Sequence, residues 1–153
     1  MLVVVAVVGK PKHPGMAAAI EDYERRAARY WPLAVHEVRE EKGRSLPPAQ
    51  VQARESERIA ARIGDALLVA CDADGDRMTS RAFAEWLQGC RERGRSVAFA
   101  IGGALGLDPA FRERSHRRLS LAPWTLPHEL ARLVLAEQLY RAGTLVRGEP
   151  YHK

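Results

Sequence analysis

Four short apolar runs constrain this chain more than any other feature of it. Residues 2 to 9 read LVVVAVVG, residues 65 to 71 DALLVAC, residues 97 to 101 VAFAI and residues 119 to 122 LSLA. The first three are apolar without interruption at their centres, so each needs cover on both faces, as strands inside a parallel sheet do. Between them lie segments of helical spacing. Residues 15 to 30 place Ile20, Tyr23, Ala27 and Tyr30 on one stripe. A charged helix is expected over 48–63, another over 79–94 between a Thr79/Ser80 cap and Gly94, a short one over 108–116 and a last one over 127–146. PLAVHEVRE, 32 to 40, alternates apolar and polar residues and reads as a less buried strand near an edge.

Strand and helix alternate throughout, which predicts an α/β fold with a mostly parallel sheet and helices on both faces. The 153 residues suit a single domain, 1–153. EEKGRSLPPAQ, 40 to 50, combines charge, Gly, Ser and two prolines and is expected to be a surface loop.

Composition narrows the function classes. No apolar run approaches the roughly 20 residues that cross a bilayer, and the opening MLVVVAVVGK lacks the basic lead-in and cleavage site of a secretory signal. A cytoplasmic protein with no membrane partner is expected. Cys71 and Cys90 form neither a disulfide framework nor a metal cluster, so no metal is expected. Net charge is +5, carried by 20 arginines against 4 lysines. That balance suits a phosphate-rich partner as well as it suits a plain basic surface.

Ligands of an open parallel sheet bind outside the carboxyl ends of its strands. Three such ends have unusual sequence: CDADG (71–75), IGGALGL (101–107) and LAPWTLP (121–127). Gly102, Gly103 and Gly106 make neither G-x-G-x-x-G nor a P-loop, which leaves close backbone approach to a ligand and a tight structural turn both open there. Asp72 and Asp74 suit a ribose or simple turn chemistry. His128 reads as a first-turn helix residue, and Glu137 with Arg141 as a local ion pair. LAPWTLP is apolar and stiffened by two prolines, which is unusual for a solvated connection.

The last helix has two apolar stripes, Leu130, Leu133, Val134 and Tyr140 on one side and Ala131, Leu135, Leu139 and Ala142 on the other. A helix apolar nearly all round needs cover on most of its circumference. One sheet buries one side, so a partner helix from a second copy, in a homodimer, is expected to bury the other.

IGGALGL, SLAPWTLPHELARLVLAEQLYRA, the closing RGEPYHK, Gly9-Lys10 after the first strand and CDADG together resemble the small bacterial SPOUT-class pseudouridine N3-methyltransferases over essentially the whole chain. The resemblance implies a SPOUT-type fold with a C-terminal trefoil knot, although sequence rules exclude knots by default. It implies S-adenosylmethionine as cofactor, bound by Cys71, Gly102, Leu121, Ala122, Pro123, Trp124, Thr125 and Leu126. The family typically has leucine where Cys71 stands, and a cysteine serves the same apolar contact. The implied reaction methylates N3 of a pseudouridine in the helix 69 loop of 23S rRNA in the assembled ribosome. His152 is the leading candidate to contact the base, since a neutral imidazole accepts a proton near pH 7. Tyr151 could stack on a base or donate a hydrogen bond, and Arg141 could hold a phosphate or the uracil edge. Two rivals are a ribosome-binding factor that lost catalysis and a nucleotide-dependent oxidoreductase, the latter disfavoured by the missing G-x-G-x-x-G.

Overall fold

The computed structural model describes residues 1–42 and 45–152, apart from the side chain of His152. Five strands, β1 (Val3–Val8), β2 (Leu33–Val38), β3 (Leu67–Arg77), β4 (Val97–Ile101) and β5 (Arg117–Ser120), pair in the order β2-β1-β4-β3-β5. All pairings are parallel. The half-buried strand β2 does lie at an edge, as its alternation predicts.

Among the described residues four helices connect them, α1 (Pro14–Ala27), α2 (Pro48–Ile63), α3 (Ser80–Glu92) and α4 (Pro109–Glu113), and α5 (His128–Val146) follows β5. Successive residues of a strand point to opposite faces, and the core divides accordingly. Val3, Val5, Val7, Val97, Phe99 and Ile101 pack with α1, α3 and α5, while Ala6, Val8, Ala70 and Ala100 pack with Ile59 of α2 and Phe111 of α4. The sheet is therefore covered on both sides, which is why its apolar runs are uninterrupted.

Side-chain caps start three helices. His13 Nδ1 accepts from the Met16 amide at 3.3 Å, Thr79 Oγ1 from Ala82 at 3.1 Å and Asp108 Oδ2 from Phe111 at 3.0 Å. The residue before α5 is Pro127, which provides no side-chain cap. Instead Glu129 in the first turn accepts the Lys12 amide at 2.7 Å, tying the loop after β1 to the start of α5.

The end of α5 reverses sharply. The Glu149 amide donates to Thr144 O at 2.9 Å and the Gly148 amide to Leu145 O at 3.2 Å, with Gly148 at φ +68. This Schellman arrangement uses the freedom of glycine to fold the tail back, and a 3-10 turn, Pro150–His152, packs against α5.

One expectation needs correction. CDADG does not end β3 in a turn: the strand runs on to Arg77, and its pairing with β5 skips from Cys71 to Asp76. The extra residues are absorbed as a bulge, because β5 still offers partners beyond them. Of the two apolar stripes of α5, Ala131, Leu135, Leu139 and Ala142 are buried in the core with the sheet, α1 and α3, while Leu130, Leu133, Val134 and Tyr140 stay half-buried.

A candidate cofactor site at the carboxyl ends of β3, β4 and β5

The three unusual loops meet. A cavity of about 690 Å³ is lined by the segment after Cys71, by the Gly102–Leu107 turn and by the β5–α5 connection. The volume is that of a small-molecule site. Parallel pairing brings this about, since it sets the carboxyl ends of β3, β4 and β5 side by side at one edge.

The glycine turn is built for close backbone approach. Gly106 donates its amide to Gly103 O at 3.0 Å and sits at φ +78. A Cβ on Gly102 would lie 2.6 Å from Gly106 C and 2.7 Å from Leu107 N. Helix α2 holds the turn at two points: Gln52 Nε2 donates to Leu105 O at 2.6 Å, and Ser56 Oγ accepts from the Asp108 amide at 3.0 Å.

The lining has two chemical characters. Leu121, Ala122, Leu126 and Ala131 form an apolar wall, continued at the rim by Trp124, which is 76% exposed. Asp72 and Arg112 form a charged part, with Arg112 Nη1 donating to Asp72 Oδ2 at 2.9 Å. Burial, with the charge of Asp72 adding, pushes the Cys71 thiol up to about 12. The thiol therefore stays neutral and unreactive, an apolar contact rather than a nucleophile.

Among the described residues, three buried side-chain polar atoms have no partner: Glu55 Oε2, Arg112 Nε and His128 Nε2. Arg112 and His128 line the cavity, and Glu55 Oε2 lies 2.8 Å from where a Cβ on the lining residue Gly103 would stand. Buried polar groups are otherwise nearly always paired. Their concentration around one cavity is what a site for a polar ligand requires.

A family model described as "Predicted SPOUT methyltransferase" matches residues 1–152. The chain is 64% identical over its full length, and that of the relative, to ribosomal RNA large subunit methyltransferase H of Gemmatimonas aurantiaca. The chain belongs to the SPOUT methyltransferases. Its kinship extends to ribosomal RNA large subunit methyltransferase H of Anaeromyxobacter sp. strain K, 44% identical over the full length of both. A probable methyltransferase from Bordetella pertussis Tohama I shares the fold, with a TM-score of 0.54 at 16% identity over 92% of this chain and 95% of the other.

In this SPOUT chain Cys71, Gly102, Leu121, Ala122, Trp124, Thr125 and Leu126 line the cavity together, and Pro123 does not. Arg141 and Tyr151 come together elsewhere. Glu137 Oε1 accepts from Arg141 Nη2 at 2.6 Å and from Tyr151 Oη at 3.1 Å, and the Arg141 guanidinium lies 4.8 Å from the centre of the Tyr151 ring. The Glu137–Arg141 ion pair read from the sequence is thus present. Burial first, then the hydrogen bond with Tyr23, holds the Tyr151 hydroxyl above its ordinary pKa, so it acts as a donor. Neither residue lines the cavity. Ten residues of α5 separate Ala131, in the cavity wall, from Arg141, about 15 Å along the axis. The side chain of His152 lies outside the described residues.

The sequence reading missed Gln52, Ser56 and Arg112. None carries a local signal: Arg112 reaches Asp72 across 40 positions, and Ser56 meets Asp108 across 52.

Proposed function

We propose that this chain is an S-adenosylmethionine-dependent methyltransferase of 23S rRNA, acting on N3 of a pseudouridine in the helix 69 loop of the assembled ribosome, as a cytoplasmic homodimer. The observation that carries the cofactor assignment is the cavity. It pairs an apolar wall with a glycine turn that leaves no room for a Cβ and with unpartnered polar atoms. These features suit a ligand with a flat adenosine end and a charged amino-acid end. The substrate assignment draws on the relatives, which are named ribosomal RNA large subunit methyltransferase H.

Bound S-adenosylmethionine supplies a methyl group on a sulfonium that becomes neutral as the methyl departs. This chain's residues have three tasks. The β5–α5 wall excludes water and fixes the adenosine. The glycine turn brings backbone groups against the ligand, so positioning contributes much of the acceleration. A base must take the N3 proton, and the tail carrying His152 is assigned that contact. Tyr151, held protonated, and Arg141 are assigned to the uracil edge or a phosphate.

The absence of Tyr151 and Arg141 from the lining of their own chain's cavity supports a dimeric site, in which a second copy supplies the tail. The half-buried Leu130, Leu133 and Val134 on α5 supply apolar surface for such an interface. The implied trefoil knot belongs to the same proposal, supported by the convergence of the loops after β3, β4 and β5 on one cavity.

The test is transfer of labelled methyl to ribosomes, with mass mapping of helix 69 from a strain lacking the gene. Loss of one methyl at a pseudouridine, restored by the purified chain, is expected. Binding of the cofactor without transfer to ribosomes would overturn the substrate assignment.

A further inference from the structure

Asp72 and Arg112 make up the charged part of the cavity. Arg112, on α4, directs Nη1 to Asp72 Oδ2 at 2.9 Å, so one end of the guanidinium is anchored to the end of β3. Its Nε is buried and has no partner. In a guanidinium, Nε and Nη2 form the side-on edge that grips a carboxylate through two parallel hydrogen bonds. The anchoring through Nη1 leaves that edge without a protein partner, on a residue that lines this cavity and also a smaller neighbouring pocket.

We infer that Arg112 is the residue that grips the carboxylate of the cofactor's amino-acid end, with Asp72 as the positioning residue that orients its guanidinium. This rests on the reading of the cavity as the S-adenosylmethionine site. The two chemical characters of the lining support it. The apolar β5–α5 segment suits the adenosine, and the Asp72–Arg112 part is where a charged group finds a partner. An Arg112 that served only to tie α4 to β3 would have no reason to leave a buried N–H unsatisfied, because such a group costs free energy.

Two probes separate the possibilities. S-adenosylhomocysteine keeps the amino-acid end, and 5′-methylthioadenosine keeps the adenosine but lacks that end. Calorimetric titration of Arg112→Gln with both should show affinity for S-adenosylhomocysteine falling at least about tenfold, the size of one lost charge-assisted contact, while affinity for 5′-methylthioadenosine stays within about twofold. Arg112→Lys, which keeps the charge but loses the fork, should fall between parent and Arg112→Gln for the first probe alone. Equal weakening of both probes, or of neither, overturns the assignment and leaves Arg112 a structural tie. A parent protein that binds neither probe overturns the cofactor reading itself, a distinguishable result.

Discussion

Arg132 on α5 meets Glu24 on α1 through two parallel hydrogen bonds, Nε to Oε1 at 2.7 Å and Nη2 to Oε2 at 3.1 Å, and gives its remaining end, Nη1, to Glu37 of β2 at 2.7 Å. The arginine is buried and its planar fork satisfies both carboxylates, so three elements are joined through one cation. Removing it leaves Glu24 mostly enclosed without a counter-charge. Arg132→Ala should cost about 3 kcal/mol in urea denaturation. A loss below about 1 kcal/mol would show that the triad only offsets its own desolvation.

Gly143 faces the ring of Tyr30, and a Cβ there would collide with Tyr30 Cγ, Cβ and Cδ2. On an open helix Gly→Ala gains about 1 kcal/mol. Here the collision is with the root of a ring held by its hydrogen bond to Glu149, so the sign reverses. Gly143→Ala is expected to destabilise by about 2 kcal/mol. Repeating it in a Tyr30→Ala background should remove most of that cost, a coupling that a double-mutant cycle measures directly.

Gly102→Ala tests the glycine turn. The added methyl would meet backbone at 2.6 and 2.7 Å, and backbone cannot rotate away as a side chain can. The turn must open, which should lower affinity for S-adenosylhomocysteine at least about tenfold, while far-ultraviolet circular dichroism stays unchanged. Parent-like affinity would show that the turn does not touch the ligand.

Glu55 gives a pH signature. Burial raises its pKa above the ordinary 4.5, opposed by the hydrogen bond from the Glu41 amide and aided by the charge of Glu40. An acid with a raised folded pKa contributes its full stability only while protonated, below the unfolded value, and loses it as pH rises through the folded value. Glu55→Gln keeps a neutral side chain at every pH. Its urea midpoint relative to the parent should therefore rise as pH climbs from below the ordinary carboxylate value through the raised folded one, and a constant difference would show that the carboxyl does not titrate abnormally.

Trp124, 76% exposed at the cavity rim, contributes little to the fold of a single chain. Trp124→Ala should shift unfolding of the monomer by less than about 0.5 kcal/mol. Its effect should fall on ligand affinity if the indole covers adenosine, and on the association constant if it is buried between copies. Titration calorimetry and sedimentation equilibrium on the same variant distinguish the two.

The fold was legible because the periodicities are strong. LVVVAVVG and VAFAI can only be strands covered twice, and helical spacing with a Thr79 cap places α3 to within two residues. The three loops of the cavity were legible for a different reason: in a parallel sheet the ligand side follows from strand direction alone. The Asp72–Arg112 pair was not, because it joins residues 40 positions apart with no shared pattern. The continuation of β3 to Arg77 was hidden too, since Asp-Ala-Asp-Gly has the composition of a turn, and only the partner strand β5 draws it out as a bulge.

Hydrophobic pattern by itself determined the α/β class, the order of elements and the end of the sheet where a ligand sits, since these depend on local spacing and chain direction. Family membership was also written in contiguous motifs such as IGGALGL and PWTLPHEL. Tertiary structure alone decided which polar groups meet: that Arg132 satisfies two carboxylates, that Arg112 keeps its side-on edge unpaired, and that Arg141 and Tyr151 gather on Glu137, outside the lining of the cavity of their own chain. Burial can be read from one segment at a time, whereas a hydrogen bond or ion pair depends on the angle between two side chains whose positions the packed core sets.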